Sequence, residues 1–444
     1  MALAIERLRA WVVTANMGLG HQRAAHTLSH LAEGGVLTAG TPETTDEDEV
    51  RFWRRLTWSY EVLSRTKGIP IVGGPLFGAL DRLLHIPPFY PLRDLSHPSP
   101  NNYLVEHLIR SGLGRTLLQR LRTRALPLIS TFYVPCLVAD HAHPDRVYCV
   151  ICDADLNRVW VASNAKQSRI QYLAPCGRVM RRLRQYGVPD ERIFITGFTL
   201  PRDNIGGPGM ETLRADLMAR LGRLDPRGRF TNIYGATVRE LLGDRPEPSG
   251  GNGRVTVTFA VGGAGAQVEI GLMLAQGLKQ GVLNRRFRLV LVAGVNPVVE
   301  RVFREFVIRI GLGPEIDDGV LIVREDNRPA YFDRFNALMR ETDLLWTKPS
   351  ELSFYSALGI PIVMAPPIGS QESKNQRWLV DKGCAVPQYT PRLAFEWLTD
   401  MLNDGVFAEK ALSGFIKNRK LGVFKIEEVL QTGTMSRETH PLRR

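Results

Sequence analysis

Twice along this chain, short apolar runs alternate with longer segments of helical spacing, and this alternation narrows the possible folds more than any other feature. Parallel neighbouring strands need long crossovers, so strand-sized runs separated by helix-sized stretches predict a parallel sheet covered by helices. In the first half, strands are expected in AWVVTAN, LPLISTFY, RVYCVIC, RVWVAS and RIFITG, and helices over 21–33, 101–123 and 171–186. Residues 201–253 are rich in Gly, Pro, Arg and Asp, include PEPSGGNG, and read as a linker or insertion. The alternation then restarts in RVTVTFAVGG, FRLVLVAG, GVLIV, DLLWT and IPIVMAPP, with helices near 267–280, 297–310 and 329–341, and 391–430 reads as helical. The expected class is α/β with two Rossmann-like domains, 1–200 and 254–408, followed by a C-terminal helix and tail over 409–444.

A chain of 444 residues is too long for one ordinary core, since domains average ~150 residues. A hydrophobic share of 44% with 23% charged residues excludes a largely disordered chain. The net charge of +12 should attract phosphates, nucleic acid or an anionic membrane face. The basic residues are dispersed and no nucleic-acid-binding module is recognisable, so no nucleic-acid partner is expected. No apolar run reaches the ~18 residues needed to span a bilayer, and MALAIERLRAWVV reads as a first strand instead of a signal peptide. A cytoplasmic protein, or one peripheral to the cytoplasmic membrane face, is the expectation. Five scattered cysteines fit reduced thiols. Cys149 and Cys152, with His141 and His143 upstream, carry zinc-type donors, but RVYCVIC reads as a buried strand in which residues three apart point to opposite faces. No metal site is expected.

Two glycine loops carry the chemistry. In TANMGLGHQRAAH, a strand leads through Gly18 and Gly20 to His21 at the start of a helix. Glycines permit a tight turn, helix N-terminal N–H groups meet a negative or electron-rich oxygen, and an imidazole there can take a proton from a hydroxyl near neutral pH. Helix packing alone also uses such loops, and a histidine can serve only as a cap. In VTFAVGGAGAQVEI the same logic recurs with Gly262, Gly263, Ala264 and Gly265, where a diphosphate can rest on the following helix. Gly294 and Asn296 close the next strand within reach of a nucleotide, although Asn296 taken singly reads as a helix cap. The segment DLLWTKPSELSFYSALGIPIVMAPPIGSQESKN adds Lys348, Pro349, Ser350 and Glu351, then Gln371, Glu372 and Asn375. Hydroxyls, carboxylates and amides at the ends of parallel strands suit a sugar.

In this order, the His21 loop, the GGAGA loop and the TKPS…GIP…QESKN segment resemble the GT-B glycosyltransferases. The resemblance is to the group that includes processive diacylglycerol glucosyltransferases, plant-type monogalactosyldiacylglycerol synthases and the lipid-intermediate N-acetylglucosaminyltransferase of peptidoglycan synthesis. It covers nearly the whole chain, and Asp153, Trp160, Gly187, Val188, Pro189, Thr196 and Gly197 look like the group's interdomain approach. The resemblance implies an N-terminal acceptor domain and a C-terminal nucleotide-sugar domain with sheets facing across a cleft. It further implies a UDP-sugar donor, a hydroxyl acceptor such as diacylglycerol, and neither a bound metal nor another cofactor. His21 matches the histidine of the first glycine loop, and Gln371, Glu372 and Asn375 match a late Gln-Glu-x-x-Asn segment that faces the donor sugar. Asp153 either assists His21 and orients the acceptor, or is a structural residue at a strand end.

Two positions depart from the group. Phe354 stands where a glutamate grips the nucleotide ribose, and Glu351 is the candidate substitute. Asn157 stands near where lipid-glycosylating relatives have a histidine, and asparagine cannot take a proton at neutral pH. These departures keep two alternatives open: a non-catalytic sugar-nucleotide or lipid-binding protein, and a sugar-nucleotide epimerase. Residues 51–93 mix Trp53, Trp58, Tyr60, Phe77, Phe89 and Tyr90 with Arg54, Arg55, Arg65 and Lys67. They suit contact with an anionic membrane and equally suit core filling beneath a basic face.

Overall fold

The computed structural model describes residues 8–47, 49–51, 53, 86–142, 145–243, 253–262, 265–438 and 440. The chain forms two compact units: residues 1–200 with 368–375 and 421–438, and residues 201–367 with 376–420 and 439–444. Each is built on a six-stranded sheet with every pairing parallel. Both are Rossmann-like α/β units.

In the first unit the strands are β1 (Trp11–Ala15), β2 (Leu37–Ala39), β3 (Leu128–Ser130), β4 (Val147–Val150), β5 (Gln171–Leu173) and β6 (Ile193–Phe194), in the order β2-β1-β3-β4-β5-β6. The helices are α1 (Leu19–His26), α2 (Pro100–Arg110), α3 (Arg115–Leu121), α4 (Tyr133–Ala142) and α5 (Gly177–Gln185). Strands β1, β3 and β4 are buried along their length, which fits sequences that are apolar but for Thr14 and Ser130. The chain steps from β1 to β2 on one side and then to β3 on the other, so the crevice between the carboxyl ends of β1 and β3 is a topological switch point.

Several expected elements shift. RVWVAS is not a strand: Arg158–Trp160 is a single 3-10 turn, because Arg158 turns inward and donates to the carbonyls of Val161, Ala162, Ser163 and Ser96. The helix expected over 171–186 begins as strand β5, and the one over 101–123 breaks at Gly112 and Gly114, both at positive φ. β2 was not among the expected strands.

The second unit begins with α6 (Arg202–Ile205), α7 (Glu211–Leu224) and α8 (Arg229–Leu242). Most of residues 202–243, within the stretch read as a linker or insertion, are helical. Leu213, Leu217, Leu221 and Leu224 are buried on α7 at helical spacing. The fully buried Arg220 ties α7 to the end of the helix Arg328–Glu341 and to the 3-10 helix Glu351–Leu358 by donating to the carbonyls of Thr342, Met339 and Leu358 at 2.7, 3.1 and 2.9 Å. Then follow β7 (Val255–Ala260), α9 (Val268–Leu283), β8 (Phe287–Gly294), α10 (Pro297–Val307), β9 (Val320–Arg324), α11 (Arg328–Glu341), β10 (Leu344–Thr347), β11 (Ile362–Met364), α12 (Ser370–Lys382, whose residues 370–375 are grouped with the first unit), β12 (Ala385–Pro387), α13 (Ala394–Asn403) and α14 (Val406–Lys417). The strand order is β12-β11-β10-β7-β8-β9, the doubly wound order of dinucleotide-binding sheets, with its switch point between β7 and β10. The last helix, α15 (Gly422–Thr432), is grouped with the first unit. There His30 Nε2 lies 2.6 Å from Glu427, and Arg146 donates to the Leu430 carbonyl at 2.8 Å.

Candidate functional site

The crevice of the first unit holds His21. Gly18 caps α1 at φ 103°, ψ 166°, a conformation that only glycine adopts without strain, and it turns the chain sharply from β1 into the helix. This sets Gly20 and His21 in the first turn. The imidazole Nδ1 lies 2.7 Å from the carbonyl oxygen of Thr131, which follows β3 across the switch point. A carbonyl only accepts, so Nδ1 carries the hydrogen, and in the neutral ring Nε2 is the basic nitrogen. The ring packs against Phe132 at 5.3 Å and Trp160 at 5.8 Å, and Tyr133 lies 5.3 Å from Trp160. Burial pushes the Tyr133 phenol up to about 12, so it stays protonated at working pH. A proton acceptor packed against two aromatic rings, with a third beside them, can hold an acceptor that is apolar around its reacting hydroxyl.

Asp153, half-buried, follows β4, and Asn375 holds it. The Asn375 amide donates to Asp153 Oδ1 at 2.8 Å, while its oxygen accepts from the Ala154 N–H at 2.7 Å. Asn375 is fully buried, so its amide is engaged at both ends within this unit. Glu372 caps its own helix, its carboxylate accepting from the N–H of Ile368 at 2.6 Å. Gln371 is half-buried beside Ser370. Asn157 is 5% exposed, and its side-chain oxygen is buried without a hydrogen-bond partner among the described residues. Trp53 and Phe89 are buried and Tyr90 is 71% exposed; Trp58, Tyr60, Phe77, Arg54, Arg55, Arg65 and Lys67 lie outside the described residues.

The crevice of the second unit lies between Gly262, after β7, and Lys348, after β10. A Cβ on Gly262 would stand 2.9 Å from Lys348 Cε, so the glycine leaves the room that the lysine stem fills. Gly265, at φ +73°, packs against Asn296, which caps α10 by accepting from Val298 and Val299. Gly294, at φ +69°, ends β8. Pro349 and Glu351 are buried and Ser350 is half-buried; Gly263 and Ala264 lie outside the described residues. Phe354 is buried against Trp378, ring centroids 4.9 Å apart, so it serves the core of this unit.

Sequence reasoning did not single out Thr131, Phe132 and Tyr133. The small polar pair before two aromatics at the end of LPLISTFY was the available signal.

No family model matches the sequence. Two curated relatives are processive diacylglycerol beta-glucosyltransferases. That of Bacillus subtilis (strain 168) is 30% identical over 76 residues, 17% of this chain and 20% of the relative. That of Bacillus licheniformis is 30% identical over 105 residues, 23% of this chain and 26% of the relative. The matches thus span about a fifth to a quarter of the length of these relatives. Among solved structures, Acinetobacter baumannii MurG is 14% identical at a TM-score of 0.48, covering 95% of this chain and 99% of that one. UDP-GlcNAc 2-epimerase from Neisseria meningitidis, bound to UDP-GlcNAc, is 14% identical at a TM-score of 0.46, covering 96% and 100%. The curated matches are to enzymes of the group that the two glycine loops and the TKPS segment resemble. No described helix is long and apolar enough to cross a membrane.

Glu49 makes the stability of the first unit depend on pH. Burial raises its carboxyl above the ordinary value, against N–H bonds from Gly114 and Arg115 that lower it. Glu49 lies four residues before Trp53, which packs 6.2 Å from Phe132. A carboxyl with a raised folded pKa contributes stability that is fully present below the unfolded pKa and is lost as pH rises through the folded one. Glu49→Gln should therefore flatten the fall in urea-denaturation stability between mildly acidic and neutral pH. An unchanged pH slope would contradict this assignment.

Proposed function

We propose that the chain is a hexosyltransferase that moves a sugar from a nucleotide sugar, a UDP-sugar, to an acceptor hydroxyl, with a membrane lipid such as diacylglycerol as acceptor. The observation that carries the reading is the Nδ1 contact with the Thr131 carbonyl, which makes Nε2 the basic nitrogen of a ring packed on Phe132 and Trp160 at a sheet switch point. The acceptor oxygen attacks the anomeric carbon, its proton passes to Nε2, and the bond to the nucleoside diphosphate breaks. In this scheme Lys348 and the N–H groups around Gly262 and Gly265 steady the leaving diphosphate, so no resident metal or other cofactor is needed. Asp153, held by Asn375, orients the acceptor. An aromatic-walled acceptor site and the positive net charge support work at the cytoplasmic face of an anionic membrane.

A panel of UDP-sugars incubated with a total lipid extract, read by mass spectrometry, tests the reading. A new glycolipid that disappears with His21→Ala supports it, and no sugar transfer from any donor overturns it. Lys348→Ala should weaken UDP binding about tenfold in calorimetry, the loss of one charge-assisted contact. A second reading, a protein that binds the donor without transferring it, is favoured by Phe354, whose ring is committed to Trp378. Tight UDP-sugar binding with no product would select it.

A further inference from the structure

Which nitrogen of His21 is basic depends on one peptide group, and that group is held by side chains to which the proposed reaction gives no part. The oxygen 2.7 Å from His21 Nδ1 belongs to the peptide that joins Thr131 to Phe132. The N–H of the same peptide donates to Ser130 Oγ at 3.2 Å, and the Ser130 hydroxyl donates to the Phe132 carbonyl at 2.8 Å. A trans peptide is planar with its N–H and C=O on opposite edges, so holding the N–H also aims the carbonyl. Ser130 and Phe132 are both buried. Without the serine hydroxyl, this N–H would stay in the interior lacking that acceptor, and turning the peptide plane to find another would carry the carbonyl away from His21.

A second tether fixes where that peptide lies. β1 and β3 pair in register as far as Val13 and Ser130. One step further, the Thr131 N–H donates to the Val13 carbonyl at 3.0 Å and the Thr131 hydroxyl donates to the Thr14 hydroxyl at 2.9 Å. Both threonines are buried, so water does not compete for this bond. β1 leads through Gly18 into α1, so these two bonds tie the strand that carries the His21 helix to the carbonyl that meets its ring. Cys152 Sγ also lies 3.8 Å from the Thr131 oxygen, but a thiol is a weak donor and leaves the imidazole as the stronger one.

A free histidine side chain carries its hydrogen more often on Nε2 than on Nδ1, so the opposite tautomer has to be held by an acceptor facing Nδ1. We infer that Ser130, Thr131 and Thr14 are positioning residues for His21: their hydroxyls hold the Thr131–Phe132 peptide so that its carbonyl takes the Nδ1 hydrogen and leaves Nε2 as the base. The role given to Nε2 rests on the sugar-transfer reading. The tautomer itself is measurable without any transfer, so the failure of one and the failure of the other are distinguishable.

The test is nitrogen NMR on the full chain with isotope-labelled histidine, the His21 signals being assigned by their loss in His21→Gln. At a pH where the ring is neutral, the wild type should carry its hydrogen on Nδ1. Ser130→Ala and Thr131→Val should each move the ratio of the two tautomers about fivefold toward Nε2–H, as expected for one lost hydrogen bond. Thr131→Ser keeps the hydroxyl and should keep the wild-type ratio. Circular dichroism checks that each variant folds, and where Ser130→Ala does not, the two Thr131 variants decide. In the transfer assay, Thr131→Val should lower kcat about fivefold and leave the KM for the UDP-sugar unchanged. Hydrogen on Nε2 in the wild type, or a ratio that neither Ser130→Ala nor Thr131→Val alters, would overturn the assignment, and so would an unchanged kcat beside a shifted ratio. A ratio that responds as expected in a chain that transfers no sugar supports the hold on the tautomer and removes the sugar-transfer reading.

Discussion

His21→Ala is expected to lower kcat/KM for sugar transfer by roughly 10²–10⁴-fold, the range over which a positioned general base acts. Binding of UDP alone should not change, because the proposed scheme assigns the nucleotide to Gly262, Gly265 and Lys348 and gives His21 only the transfer of the acceptor proton. His21→Gln is the sharper version. An amide can keep the bond to the Thr131 carbonyl, and hence the packing on Phe132 and Trp160, but it cannot take a proton. If His21→Gln keeps more than about a tenth of the activity, the ring is a positioning group and the base lies elsewhere. Loss in both variants with an intact fold would place proton removal at Nε2.

How far the chain could be read from its residues follows from which physical signal each element carries. β1, β3, β4, β7, β8 and β10 are buried runs of apolar residues, and all were visible. β2, β5 and β12 have three residues each and none is buried throughout, as the equally short β3 is, so no buried apolar run marks them. RVWVAS misled because a short apolar run resembles a strand, whereas the Arg158 guanidinium is buried among carbonyls of the residues that follow it. Gly18 and His21 were legible because a glycine turn between a strand and a helix is local in sequence. The bond from His21 to Thr131 spans 110 positions and has no local trace. The same limit applies to Asn375, whose neighbours pointed to a donor sugar and whose amide is engaged by Asp153 and Ala154, over two hundred positions away. Asn296 shows the opposite case, since its capping bonds reach only two and three residues along the chain.

Asp155→Ala should cost about 3–5 kcal/mol of unfolding free energy, the range for breaking one side of a buried ion pair. Set against a total of ~5–15 kcal/mol for an ordinary domain, that is enough to leave the first unit marginal. The cost arises from what stays behind. The Asp155 carboxylate is held by Arg182 through Nε at 2.7 Å and Nη2 at 3.1 Å, and by Arg178 through Nε at 3.2 Å. Both the Asp155 and the Arg182 side chains are fully buried, so the alanine variant leaves the Arg182 guanidinium in a dry interior with only the Pro87 carbonyl and Gln185 to receive its donors. Arg178 can escape, because it is partly exposed and can turn toward solvent. Asp155→Asn retains an acceptor oxygen for Arg182 Nε and should cost less than alanine. Replacing both partners, Asp155→Leu with Arg182→Met, removes charge and counter-charge together and should recover most of the loss. Urea denaturation followed by circular dichroism distinguishes these cases. A double variant as unstable as Asp155→Ala would show that the pair also holds α5 in place through geometry that apolar side chains cannot supply, and that the stability of the unit depends on the bonds themselves instead of on neutralising the buried charge.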